Sequence, residues 1–315
     1  MSLQREGVPR SPAPAMAAVQ ADNHTSNTLL PDAADASERR LPATNGGLPP
    51  TLPQANLLSV LADGGAAQGL PLASVAPRVS VVIPTLNEEE NLPHVFCHLP
   101  TDLHEVIVVD GHSTDHTVGM ARMLRPDVRI VMQSGRGKGN ALAAAFRECT
   151  DDIVVTLDAD GSTDGREIPR FVAALCNGAD FVKGSRFAQG GASADITFVR
   201  KLGNRALSTL VNGLYGTSYT DLCYGYNAFW ARCLPYLRVD CDGFEVETLI
   251  NVRIAKAGLV VHEVPSYERN RLNGMSNLHA VRDGTRVLRT IALERMSAAS
   301  RQLLRACMRR RPPVR

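Results

Sequence analysis

The sequence predicts an α/β fold in which a mostly parallel β-sheet is flanked by helices. Three observations predict it. Short, continuous apolar runs rich in Val and Ile recur at 79–83 (VSVVI), 105–109 (EVIVV), 128–132 (VRIVM) and 152–157 (DIVVTL), as in strands buried on both faces. Helical stretches at 89–99, 115–124 and 138–148 separate them, and strands alternating with helices build βαβ units. Each run ends in a polar loop, and in such sheets ligands bind beyond the carboxyl ends of the strands.

Residues 1–77 come first, rich in Pro, Ala, Ser, Asn, Asp and Gly without a sustained period. Such composition cannot bury enough apolar surface to offset chain entropy. A disordered extension is expected there, with at most a short helix near ANLLSVLA. The character changes at Arg78, and 78–281 is expected to form a single domain. Its first strand opens into PTLNEEEN (84–91), the second into DGHSTD (110–115), the third into SGRGKGN (134–140) and the fourth into DADGS (158–162). Four polar loops on one sheet edge predict a site there. Further on, KGSRF (183–187) follows a short strand near 180–182, and 188–201 is glycine-rich, then basic. The last segment, 282–315, holds ten arginines against two acids, Asp283 and Glu294. Its apolar spacing suits an amphipathic helix. A basic helix of this kind either lies on an anionic membrane surface or packs on the domain with its Arg face in water.

The stretch TLDADGS (156–162) poses a question of charge. Asp158 and Asp160 stand at i and i+2, where side chains of an extended segment point the same way. Asp and Gly are ordinary turn formers. Two carboxylates on one side nevertheless repel unless a cation joins them, and oxygen ligands suit Mg²⁺ or Mn²⁺. SGRGKGN matches neither the phosphate-loop spacing nor the dinucleotide-binding glycine pattern, which leaves Arg136 and Lys138 as charges near the site. His94 and His98 share a helix face at i and i+4. With no H-E-x-x-H pattern and no further ligand, they read as ordinary helix residues. Ser113 reads as a cap for the helix after it.

Composition excludes several classes. A net charge of +2 gives no bulk attraction for nucleic acid, and 5% aromatic residues offer little base-stacking surface. No apolar run reaches the roughly 18 residues that cross a bilayer, and the N-terminus lacks a signal core. Seven scattered cysteines without a C-x-x-C pair suit reduced, mostly buried thiols in a cytoplasmic protein.

VSVVIPTLNEEENL, EVIVVDGHSTDHT, GRGKGNAL, TLDADGS and KGSRF, in this order and spacing, resemble the family 2 glycosyltransferases of the Rossmann-like GT-A fold. Within them they are most similar to the dolichyl- or polyprenyl-phosphate sugar transferases, over residues 79–277. The resemblance implies an inverting, metal-dependent enzyme that moves a sugar from a nucleoside-diphosphate donor to a polyprenyl phosphate. It implies donor contacts from Pro84, Asn87, Glu89, Asp110, Lys138 and Asp158, with Asp158 and Asp160 holding Mg²⁺ or Mn²⁺ against the diphosphate. Asp110 would accept hydrogen bonds from the base. Asp160, Arg186, Asp221 and Glu245 are the implied catalytic group. Arg186 opens an acceptor loop, Asp221 lies in TDLCYGYNAF (220–229), and Glu245 or Glu247 faces inward from a helix over 242–258. Arg200, Arg269 and Arg271 would meet the acceptor phosphate, as guanidinium groups pair oxygen anions bidentately. Two departures from the family pattern stand out: DGHS in place of DDGS, which puts Gly111 at the second acid, and Asn277 where relatives carry lysine. An alternative keeps the donor but sends the sugar to a hydroxyl of a soluble metabolite or glycan, with Asp221 or Glu245 as general base. A non-catalytic nucleotide-sugar-binding module is the reading from another class, and intact Asp158 and Asp160 argue against it. The enzyme is expected in the cytoplasm, peripheral to the inner membrane face.

Overall fold

A computed structural model of the chain describes residues 76–275 and 278–296. Its strands are β1 (Val79–Thr85), β2 (Glu105–Asp110), β3 (Arg129–Met132), β4 (Ile153–Thr156), β5 (Phe181–Ser185), β6 (Ala192–Ser193), β7 (Asn227–Trp230), β8 (Val261–Pro265) and β9 (Tyr267–Glu268). Its α-helices are α1 (Leu92–Cys97), α2 (Thr117–Leu124), α3 (Gly137–Ala145), α4 (Ile168–Cys176), α5 (Phe198–Tyr215), α6 (Leu234–Leu237), α7 (Val246–Lys256) and α8 (Ala280–Arg295). One sheet runs in the order β3-β2-β1-β4-β7-β5-β8, and β6 with β9 forms a second, small one. The pairs β1–β2, β1–β4, β2–β3 and β5–β8 are parallel, whereas β7 is antiparallel to both β4 and β5.

The two-residue period of β1 explains the apolar run. Val79, Val81 and Ile83 pack one way, against Leu92 and Val95 of α1 and Phe171 and Val172 of α4. Val82 packs the other way with Ile107 and Val109, against Ala141 and Leu142 of α3 and Ile250 and Ile254 of α7. Both faces are covered, as parallel sheets require.

The helices begin later or end earlier than the apolar pattern suggests. Residues 86–91 do not join α1, because Asn87 sits in the left-handed region at φ 56°. Ser113 is no cap: its N–H donates to Asp110 Oδ2 and its Oγ accepts from the Asn87 N–H. Asp115 instead takes both the N–H and the hydroxyl of Thr117, at 3.0 and 2.5 Å. Helix α5 is punctuated as its sequence asks. Thr197 accepts from the Arg200 N–H at its start, and Gly216 closes it in the left-handed conformation at φ 67°.

Helix α8 starts at Ala280 rather than 282 and packs on the domain. Val287 and Ile291 meet Val211 of α5 and Val252 of α7, and Glu294 takes Arg253 and Lys256. The rest of the basic tail (297–315), most of the N-terminal extension and Asn277 lie outside the described residues. No described helix is long and apolar enough to cross a membrane. The expectation of mostly buried thiols fails: among the described cysteines only Cys233 is buried, and Cys97 and Cys176 are exposed.

Candidate active site

The strand ends of β1, β3 and β4 meet α5, α7 and α8 around one cleft of about 780 Å³. Asp158 and Asp160 both line it, and the chain itself answers the charge question. Lys138 Nζ stands 2.5 Å from Asp158 Oδ1 and 2.9 Å from Glu247 Oε1. Arg271 reaches Asp160 Oδ2 at 3.1 Å and Glu88 Oε1 at 3.2 Å. Each carboxylate of the pair therefore has its own resident cation and shares it with a second acid. Burial opposes the charge on Lys138, but Asp158 and Glu247 outweigh it and hold the ammonium above its usual range. Burial raises the Glu88 carboxyl, against Asn91 and Arg271.

Glycines make this packing possible. A Cβ on Gly225 would collide with Lys138 Nζ and come within 2.9 Å of Asp158 Oδ2. A Cβ on Gly137 or Gly139 would strike the backbone of 241–242, whose Asp242 carbonyl accepts from the Gly139 N–H at 2.9 Å. The glycines of SGRGKGN thus seat 241–243 against α3 and so bring Glu247 to Lys138. Gly111 has a similar reason: a Cβ there would stand 3.0 Å from the Thr85 carbonyl oxygen, which accepts the Gly111 N–H.

Behind the pair runs a buried polar chain. Glu247 Oε2 accepts from Asn227 Nδ2 at 3.1 Å, and Asn227 Oδ1 accepts from Lys183 Nζ at 3.2 Å. Lys183 is fully buried and also donates to the Tyr224 carbonyl. Burial lowers its pKa, and Asp221 and Glu247 only partly oppose that. In front, the strap 269–273 lies along the DADGS loop. Its Arg269 and Leu272 N–H groups donate to the Ser162 and Asp160 carbonyls, and the Asn273 N–H donates to Asn91 Oδ1.

Of the residues named from sequence, Pro84, Lys138, Asp158, Asp160, Arg186, Arg200 and Arg271 line the cleft. Several others do not. Asn87 spends its side-chain oxygen on the Thr114 N–H (2.7 Å), and Glu89 takes the His116 N–H (2.6 Å). Both brace the loop after β2, and Glu88 is the acid that faces the cleft. Asp110 is buried below Gly111. Its Oδ2 accepts from Ser113, and its Oδ1 has no hydrogen-bond partner.

Asp221 and Arg186 form a tight bidentate pair, with Nε–Oδ2 at 2.7 Å and Nη2–Oδ1 at 3.0 Å, and Arg186 also grips Glu268 at 3.0 Å. Burial would raise the Asp221 carboxyl, but Arg186 prevails and holds it below the usual range. An acceptor-only carboxylate with both oxygens engaged is a brace for the acceptor loop and a poor general base. Glu245 precedes α7 and lies 3.6 Å from Arg286. It is Glu247, two residues onward, that lines the cleft. Arg269 turns to Asp164 at 2.8 Å, so of these two only Arg271 lines the cleft. Arg200, which lines it, pairs with Asp195 at 2.9 Å. Gln133, Tyr224 and Glu268 also line the cleft without being flagged by any local pattern.

The far wall is mixed. Val199 and Leu207 of α5 and Val281 and Val287 of α8 line it beside Arg200, Asn204, Arg282, Asp283 and Arg286. Exposed Phe198, Leu202 and Leu288 stand on the same two helices.

The family model for glycosyl transferase family 2 matches residues 80–233. Glycosyltransferase AglJ of Haloferax volcanii is 32% identical over 213 residues, 65% of this chain and 68% of that protein. The dolichol-phosphate mannosyltransferase of Pyrococcus furiosus is 36% identical, over 64% of this chain and 59% of its own length. Across these and similar relatives, this chain spans from 46% to 83% of their lengths. A crystal structure of glucosyl-3-phosphoglycerate synthase from Mycobacterium tuberculosis with Mn²⁺, UDP and glucosyl-3-phosphoglycerate superposes with a TM-score of 0.59. It covers 77% of this chain and 85% of that one at 24% identity, a likeness of fold.

Proposed function

Because the chain belongs to glycosyl transferase family 2, we propose that it moves a sugar from a nucleoside-diphosphate sugar to a polyprenyl phosphate, with inversion at the anomeric carbon. One observation carries this reading: a D-x-D carboxylate pair and exposed aliphatic side chains of α5 and α8 share a single cleft. A soluble, polar acceptor has no use for exposed Val199 and Val281 along its path. The dolichol-phosphate mannosyltransferase among the relatives supports the same acceptor class.

Asp158 and Asp160 present hard oxygen donors at the cleft and fit Mg²⁺ or Mn²⁺. A divalent cation held there would neutralise charge on the departing diphosphate. The chain's own groups do the rest. Lys138 and Arg271 bring two permanent positive charges beside the same carboxylates, where a diphosphate can share them. Asp110 is buried beneath the cleft, so a base contact from it would need the loop at Gly111 to open. An acceptor phosphate is already anionic near neutral pH, so its oxygen attacks the anomeric carbon without a general base. This agrees with Asp221 being tied to Arg186 and with Glu245 lying outside the cleft. Arg200, at the loop end of α5, would leave Asp195 to meet that phosphate.

The test is a matrix of nucleotide sugars against polyprenyl phosphates and soluble phosphorylated or hydroxylated metabolites, with product masses read. The expected product is a polyprenyl-phosphate sugar. Transfer to soluble acceptors alone, with none to lipid, overturns the reading.

A further inference from the structure

The face of α1 turned away from the sheet carries a second set of ligand atoms. His94, Cys97 and His98 occupy positions i, i+3 and i+4, which adjoin on one helix face. One ligand atom from each lies within 4.8 Å of the other two. Sequence spacing had left the two histidines as ordinary helix residues for want of a third ligand, and Cys97 supplies it. Cys97 Sγ stands 3.3 Å from His98 Nδ1. Zinc–sulfur and zinc–nitrogen bond lengths set the S···N edge of a tetrahedron at about 3.5 Å. Both atoms now serve the His94 carbonyl, at 3.1 and 2.6 Å, so a cation that takes them replaces those two hydrogen bonds: the thiol gives its proton to water and the His98 imidazole carries its own on Nε2. Cys97 is exposed, so a cation has an entry path and a fourth position open to water.

We propose that His94, Cys97 and His98 form a site for a borderline-soft divalent cation, with zinc as the type case. Its thiolate–imidazole donor set differs in kind from the all-oxygen pair of Asp158 and Asp160, so the two sites select different metals. The site does not stand apart from the cleft. A Cβ built on Gly161, directly after Asp160, would lie 3.4 Å from His94 Cδ2. A cation that fixes the His94 ring therefore stiffens the wall behind the carboxylate turn. Arg166 and Arg269 border the cluster, and both turn to Asp164, at 2.7 and 2.8 Å.

The test uses untagged, reduced, full-length protein in excess Mg²⁺, titrated with Co²⁺. One equivalent should produce the near-ultraviolet thiolate charge-transfer band and the visible bands of tetrahedral cobalt, and Zn²⁺ should bleach both. Cys97→Ser should remove the charge-transfer band, and His94→Ala should weaken binding at least tenfold. Cys176→Ser, at the other exposed cysteine, and Asp160→Asn should leave the spectrum as it is. No sulfur band in the unaltered chain overturns the proposal. So does a band that survives Cys97→Ser or disappears in Asp160→Asn.

Discussion

The two walls of the cleft are built on opposite plans. The donor-side wall comes from strand ends and is polar and paired: Lys138 with Asp158 and Glu247, Arg271 with Asp160 and Glu88. The opposite wall comes from α5 and α8, and its cleft-facing and flanking residues include exposed Val199, Leu202, Val281 and Leu288. Between them stands the buried Arg186–Asp221–Glu268 cluster. The difference teaches that one side of a site can be electrostatically complete while the other keeps apolar surface in water. Paired charges satisfy one another, and exposed aliphatic side chains gain only when something covers them.

The sharpest break of the donor wall is Asp158→Asn with Asp160→Asn. If both carboxylates serve the diphosphate and its cation as proposed, kcat/KM should fall by about 10⁴ or more, since each tenfold is 1.36 kcal/mol. The melting temperature should move little, because Lys138 keeps Glu247 and Arg271 keeps Glu88. Turnover that survives both the double substitution and EDTA would dismiss the metal role.

Next comes the seam between the walls. Arg186→Ala strands two buried acids, and such a loss costs about 3–5 kcal/mol. Urea denaturation should report it, and joint replacement of Arg186, Asp221 and Glu268 by apolar residues should recover part. A direct catalytic role would instead lower kcat at unchanged stability.

The helical wall depends on α8 staying docked, which gives a pH signature. Burial would raise the Glu294 carboxyl, but hydrogen bonds and charge from Arg253 and Lys256 lower it from 4.5 to about 2. A carboxyl depressed in the folded state contributes stability above its unfolded pKa and loses it as pH falls. Here the window is pH 4.5 down to 2, worth about 3 kcal/mol at most. Denaturant midpoints for the unaltered chain should slope through that window, whereas Glu294→Gln should slope less steeply there and be less stable at pH 7. Parallel slopes would remove Glu294 from the account.

The smallest expected effect probes the helical wall alone. Val199→Asp or Leu202→Asp should raise KM for polyprenyl phosphate roughly 10- to 100-fold, the worth of one buried aliphatic side chain. KM for the nucleotide sugar should hold. Equal shifts in both would mean that this wall does not receive the lipid.

The same contrast governs what could be read from sequence. Strand-end loops carry local signals, so the parallel core, Lys138, Asp158 and Asp160 were legible. Among the adjacent acids 88–90, pattern alone cannot say which faces inward. The left-handed turn at Asn87 decides for Glu88, as the start of α7 decides for Glu247 over Glu245. The Arg186 cluster joins residues 35 and 82 positions apart, and no spacing rule reaches that far. The antiparallel β7 was equally invisible, because NAFW says nothing of its direction.

That strand has a consequence for how the chain is made. Strands β4 and β5 follow one another in sequence yet leave a gap between them, which residues 227–230 fill. Phe229 pairs with Val154 on one side and with Phe181 on the other. On the ribosome, a nascent chain emitted through Ser185 therefore carries two unsatisfied apolar strand edges, and some forty residues of α5 and its loops must emerge before the gap closes. Such edges invite pairing with other chains. The interval between the emergence of β5 and that of β7 is the stretch of synthesis in which this protein most needs a chaperone.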